Sequence, residues 1–238
     1  MHPAVRVAVS RTFFALHRPG PGRRVIWFYH SVGSASPLAQ PVEAFRTQVR
    51  YITRWFRVVK LSEFLTAADV DGHNLASITF DDGYADNAGH VRDILEAAGI
   101  PGTFFVVTGL LGRDFDTSGG PFRLMTAADV KSLAQAGHEV GAHSVTHPIL
   151  PALAAADARR EVADSKRFLE DLLGSEVTSF AYPKGLVDAR VRRLVEDAGY
   201  RQAVVTRRAF VTPPVDPFAL PRLAARDYIL QSLWPRAR

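Results

Sequence analysis

An alternation dominates this chain. From about residue 23 to the end, short apolar runs take turns with amphipathic stretches of helical period. Residues 23–30, 56–59, 75–80, 103–107, 138–142, 177–181 and 202–206 are rich in β-branched and aromatic side chains, the pattern of buried strands. Helices are expected between them, over 41–55, 61–68, 84–98 and 126–136. In the third of these, Val91, Ile94, Leu95 and Ala98 fall on one face, and Gly99 with Pro101 ends it. Thr126 suits the N-cap of the fourth, and Gly137 its end. Further stripes run through Ala158, Val162, Leu169, Leu172 and Leu173, and through Val187, Val191, Leu194, Val195 and Ala198. Strands joined by helical crossovers must lie parallel. About seven of them, with no internal linker, favour a closed or nearly closed α/β barrel over an open doubly wound sheet. A single domain over 23–238 is expected, preceded by an N-terminal extension over 1–22.

Composition narrows the functional classes. Of 238 residues, 47% are hydrophobic and 22% charged, enough for a large core and too apolar for disorder, collagen or a coiled coil. Cysteine is absent, which excludes disulfides, thiolate metal sites and thiol nucleophiles. The net charge of +5, carried mostly by arginine, reads as a solvated surface. No nucleic-acid module is visible, so no nucleic-acid partner is expected. Arg6 and Arg11 interrupt the apolar residues where a signal peptide needs an unbroken run, and no 18-residue apolar stretch exists to span a bilayer. The expected location is cytoplasmic. Phe13, Phe14 and Leu16 among arginines, and residues 228–234 near Arg236 and Arg238, read either as terminal helices packed on the barrel or as weak membrane-surface contacts.

In parallel α/β folds, functional side chains gather just past the carboxyl ends of strands. Four such places carry polar residues: His30; Asp81-Asp82-Gly83; His143 with His147; and Tyr182-Pro183-Lys184-Gly185. Adjacent carboxylates repel unless something positive stands between them. Gly83 lets the chain turn so that both reach one place, although Asp82 would also serve as a helix N-cap. Two imidazoles four residues apart can share a divalent cation, and the sequence lacks the glutamate of the protease motif. Asp82, His143 and His147 together would leave a fourth position open for water, the pattern of a catalytic metal site.

At this point the sequence resembles a known family. Thr79-Phe-Asp-Asp-Gly83, His143-Ser-Val-Thr-His147 and Phe180-Ala-Tyr-Pro-Lys-Gly185 look like the first three motifs of the polysaccharide deacetylases, the NodB-homology family or carbohydrate esterase family 4. Trp27-Phe-Tyr-His30 and Leu220-Pro-Arg-Leu223 are similar to the subgroup acting on poly-N-acetylglucosamine. The resemblance implies a distorted (β/α) barrel that hydrolyses N-acetyl groups from an N-acetylated carbohydrate with one divalent metal, zinc first and cobalt or nickel as alternatives. It further implies Asp81 as general base, Asp82, His143 and His147 as metal ligands, the Lys184 N–H facing the oxyanion, and Tyr182 and Pro183 shaping the pocket wall.

The chain departs from that pattern in three places. Ala181 stands where an arginine usually pairs with the base, and Arg222, after a strand-like run, is the expected substitute. No histidine follows His147, so either Asp81 or His30 must protonate the leaving amine. The family's late Asp-Trp pair is not recognisable near 204–210. Two other readings stand beside the polymer deacetylase: a deacylase of a lipid-linked or small amino sugar, and a silent carbohydrate-binding barrel. Oligomeric state is left open.

Overall fold

The computed structural model describes residues 13–14, 16–67, 74–117, 120–225 and 228. The chain enters through β1 (Arg24–Tyr29), then α1 (Val42–Trp55), β2 (Phe56–Val58) and the short α2 (Leu61–Phe64). β3 (Asn74–Phe80), α3 (His90–Ala97) and β4 (Thr103–Val106) follow. A hairpin of β5 (Asp114–Thr117) and β6 (Gly120–Arg123) precedes α4 (Ala127–Gln135) and β7 (Glu139–Ala142). The long α5 (Ala155–Leu173), β8 (Ser179–Ala181), α6 (Ala189–Asp197) and β9 (Gln202–Val204) complete the series.

Seven of these strands form one parallel sheet, in the order β1-β3-β4-β7-β8-β9, with β2 beside the start of β3. The sheet curls toward closure through a segment after β9. Leu220 exchanges backbone bonds with Ala203 and Val205 (2.9 and 3.0 Å), and Leu223 with Ile26 and Phe28 (2.9 and 3.1 Å). This segment links the last strand to the first, and the result is the expected distorted (β/α) barrel.

Strand alternation divides the apolar residues in two. Val25, Trp27, Ile78, Phe80, Phe104 and Phe180 face the helices, where they pack against residues such as Phe45, Leu95, Leu133, Val162 and Val195. Ile26, Leu75, Phe105, Ala181, Val204 and Leu220 fill the barrel interior. On β3 the inward parity continues through Ser77 and Thr79, so the next inward position, one step past the strand, is Asp81.

Two local expectations are revised. The single helix over 84–98 is split: a 3-10 turn at Ala85–Ala88 is followed by a break at Gly89 (φ −109°, ψ −102°) before α3. Asp86 in that turn accepts hydrogen bonds from the Ser31 hydroxyl and the Val32 N–H, which draws it toward the loop after β1 and off the helix axis. The sequence does not predict the β5–β6 hairpin, because its four-residue strands carry Asp, Gly and Pro, all weak strand formers. Thr126 does cap α4, in a reciprocal capping box with Asp129, an arrangement worth about 1 kcal/mol.

At the ends of the chain, Phe14 is buried against Tyr51 and Trp27 (ring centroids 5.0 and 6.1 Å), and the Tyr51 and Tyr228 hydroxyls are 2.8 Å apart. Phe14, Tyr51 and Tyr228 therefore pack on the barrel, while Leu16 is exposed. Arg6, Arg11 and residues 229–238, part of the same reading, lie outside the described residues. Among the described residues, no helix is long and apolar enough to cross a membrane.

Candidate metal and catalytic site

The strand ends meet at one mouth of the barrel. Asp81 and Asp82 reach it together because the backbone turns left-handed immediately after β3, at Asp82 (φ 67°) and at Gly83 (φ 77°). The turn at 85–88 has no side-chain cap, so Asp82 is not spent as a helix cap. A left-handed non-glycine residue is uncommon and costs energy that the surroundings must offset. Ser144, His147 and Lys184 share that conformation, and all four lie at this mouth.

The geometry suits a cation. The Asp82 carboxylate lies 3.3 Å from His143 Nε2 and 3.4 Å from His147 Nε2. Ligands about 2.0–2.1 Å from a tetrahedral zinc stand about 3.3–3.4 Å apart, so these spacings match two edges of such a coordination shell. His143 Nδ1 is 2.7 Å from the Ala181 carbonyl, which can only accept, so Nδ1 carries a proton and Nε2 is the nitrogen turned toward Asp82; a cation arriving there would displace the Nε2 proton that the metal-free site shares with Asp82. Burial alone would raise the Asp82 pKa, but the hydrogen bond and charge of His143 bring it down to about 2. His147 moves the other way: burial, then the neighbouring His143, lowers it to about 4, leaving a neutral imidazole suited to ligation.

Asp81 is held differently. Arg222 comes in from the closing segment, itself 1% exposed, and grips both carboxylate oxygens of Asp81 at 2.7 Å. Its guanidinium also donates to Thr79 Oγ1 (3.1 Å) and the Val205 carbonyl (3.2 Å), and lies 4.1 Å from the centroid of the Phe28 ring. Burial works against ionising Asp81, yet the Arg222 charge outweighs it and keeps the carboxyl below the ordinary carboxylate range. Arg222 thus supplies the positive partner of the base that Ala181 cannot. Ala181 at that position contributes a methyl to the interior and a carbonyl to His143.

The remaining expected residues divide. His30 lines the same small cavity of about 80 Å³, beside Phe28, and burial lowers its pKa. Lys184 and Gly185 line it too. Gly185 approaches Thr206 so closely that a Cβ would lie 2.0 Å from its hydroxyl, so only glycine fits there. Tyr182 and Pro183 do not line it as expected. Tyr182 is fully buried on the helix side, its hydroxyl donating to the Phe218 carbonyl, because strand parity sends residue 182 away from the interior that Ala181 faces. Phe28, Leu38, Phe115 and Thr206 complete the lining, and the sequence did not single them out for this site. Phe115 comes from the unexpected hairpin and stands edge-on to His147, 5.2 Å between centroids.

Comparison with known proteins gives the family of the chain. A model of the polysaccharide deacetylase family matches residues 69–203, more than half of the chain, including both aspartates and both histidines. The chain belongs to that family. YxkH of Bacillus subtilis, whose name assigns it to the same family, is 25% identical over 207 residues, covering 85% of this chain and 71% of its own length. IcaB from Ammonifex degensii superposes with a TM-score of 0.80 at 25% identity, over 93% of this chain and 100% of that one. The Streptococcus pyogenes deacetylase PplD, solved with acetate, gives a TM-score of 0.76 over 91% of this chain and 100% of that one; at 21% identity this is a likeness of fold. A deacetylase-type hydrolase is the class that family and fold support.

Proposed function

We propose that this protein is a metal-dependent hydrolase that removes the acetyl group from an N-acetylated amino sugar. The observation that carries the reading is the pairing of two unlike carboxylates at one mouth: Asp82 against two imidazoles at ligand spacing, and Asp81 against an arginine. A divalent ion held by Asp82, His143 and His147, zinc by donor chemistry with cobalt or nickel as alternatives, would supply Lewis acidity to the acetyl carbonyl and to water. Asp81, kept ionised by Arg222, takes the proton from the water that attacks the carbonyl carbon. The Lys184 N–H, presented by a left-handed turn, donates to the oxygen that becomes negative. Asp81 then returns its proton to the amide nitrogen as the C–N bond breaks, releasing acetate and the free amine. His30 is the alternative donor in that last step.

The substrate class we favour is a poly-N-acetylglucosamine-like chain. Supporting it, both segments that resemble that subgroup reach the site, one through His30 and the other through Arg222. A lipid-linked or small amino sugar is a second reading, favoured by Leu38, an exposed apolar side chain at the cavity edge. A silent binding barrel is disfavoured, since binding sugar needs no ionised base clamped by a buried arginine. The test is acetate release from polymeric, oligomeric, nucleotide-linked and lipid-linked N-acetylated sugars with Zn²⁺, Co²⁺ or Ni²⁺ added. No release from any of them with the metal-loaded protein overturns the reading. Asp81→Asn should keep the metal and lose roughly 10²–10⁴-fold in turnover; if it loses metal instead, Asp81 is a ligand.

A further inference from the structure

The turn between the two histidines is tied down by one residue from another element. Glu161, on the second turn of α5, accepts hydrogen bonds from the N–H groups of Val145 and Thr146 (both 2.8 Å, to Oε2) and from the Thr146 hydroxyl (2.7 Å, to Oε1). Ser144 Oγ accepts from the His147 N–H (2.9 Å), and the Ser144 and Val145 carbonyls accept from the N–H groups of Thr108 and Gly109 (3.2 and 2.9 Å). Gly109 is required there, because a Cβ would lie 2.7 Å from the Val145 oxygen. Beyond His147, Arg190 of α6 donates to the Pro151 and Leu153 carbonyls (3.2 Å each). The segment with two left-handed residues, Ser144 and His147, is therefore held from both flanks.

We propose that Glu161 is a positioning residue for His147: by accepting from three donors of the intervening turn, it keeps the His147 ring where its Nε2 meets Asp82 and His143. The proposal rests on the metal reading above. Two left-handed positions only three residues apart are unfavourable for non-glycine residues, and the turn's own N–H groups need acceptors. Glu161 supplies them with both oxygens. Groups standing behind metal ligands typically set metal affinity by about ten- to hundredfold.

The geometry also says what the role is not. The three donors are neutral, and what the turn requires is an acceptor for the two N–H groups and a partner for the Thr146 hydroxyl, which can donate or accept. A glutamine can turn its oxygen to the two N–H groups and its NH₂ to the Thr146 hydroxyl oxygen, keeping all three contacts. Glu161→Gln should therefore retain the wild-type function and Glu161→Ala should not.

The test is Co²⁺ titration followed by the visible ligand-field spectrum, on the full chain, with far-UV circular dichroism of the metal-free protein beside it. Expected are a rise in Kd of about ten- to hundredfold for Glu161→Ala with an altered spectrum, a Kd within about threefold of wild type for Glu161→Gln, and an intermediate rise for Thr146→Val. Should Glu161→Ala not fold, the contrast of Glu161→Gln with Thr146→Val decides: retention in the first and weakening in the second support the role. Wild-type affinity and spectrum in Glu161→Ala overturn it, as does a Glu161→Gln protein that folds but binds as weakly as Glu161→Ala. A wild-type protein that binds no Co²⁺ overturns the metal reading itself, a distinguishable failure.

Discussion

The two ends of the barrel each hold a carboxylate beside the parallel strands, and they treat it in opposite ways. At the end where the strands begin, Glu139 accepts from the Ser62 N–H and hydroxyl (2.9 and 3.2 Å), from the Thr103 hydroxyl (3.1 Å) and from the Ser179 hydroxyl, which Gln202 in turn supports (2.7 Å). Each of these hydrogen-bond partners is a neutral donor, and both carboxylate oxygens are engaged. At the mouth, Asp82 faces two imidazole nitrogens, each able to give its lone pair to a cation once its proton is displaced. Matched donors and acceptors make a joint; converging acceptors make a place for a cation. The same residue type is structural at one end and chemical at the other because of what surrounds it.

The sharpest way to break this comparison is at the mouth. His143→Ala and His147→Ala should each abolish stoichiometric metal binding and activity together, as read by metal content after dialysis and by acetate release. Full metal occupancy in both would leave the mouth no different in kind from the other end.

Next in size is Arg222→Ala, which leaves a buried carboxylate without its partner. Removing one member of a buried ion pair costs roughly 3–5 kcal/mol, measurable by urea denaturation of the metal-free protein. The pH profile has a definite sign. Asp81 must be ionised to act, and Arg222 lowers its pKa, so activity persists into acidic solution; without the guanidinium the pKa rises and the acidic limb moves to higher pH. Metal affinity should change little, since Arg222 contacts Asp81 and not Asp82. An unmoved acidic limb would remove Arg222 from the chemistry.

Smallest is the effect at the opposite end. Glu139→Gln exchanges one acceptor oxygen for a donor facing the Ser179 hydroxyl, and should cost about 1–2 kcal/mol of stability. It should leave Co²⁺ affinity and turnover as they are. A loss of metal affinity there would mean that the two ends are coupled through the interior.

Much of this was legible in the chain because it depends on local order. Apolar runs of strand length and helical stripes set the elements, and parallel connectivity sent His30, Asp81, Asp82, His143, His147 and Lys184 to one mouth. Even the break with family pattern at Ala181 pointed to Arg222, since the strand-like run before it ends at the same side of the barrel. Tyr182 was misplaced for an equally local reason: the strand's alternation carries on through it, so the ring faces the helices.

What the sequence determined by itself is the identity and order of the chemical groups and the architecture that collects them, because periodicity and strand-end position are properties of neighbouring residues. Only the tertiary structure decided how those groups are held. Glu161 sits on a helix whose polar face looks like any solvated surface, and nothing local ties it to residues 145 and 146. Phe115 belongs to a hairpin whose strands carry weak local signals. The grip of Arg222 on Asp81, across 141 positions of chain, exists because a short segment closes the barrel between β9 and β1. Contacts between distant segments are settled when the sheet curls and the core packs, and a one-dimensional pattern carries no record of that closure.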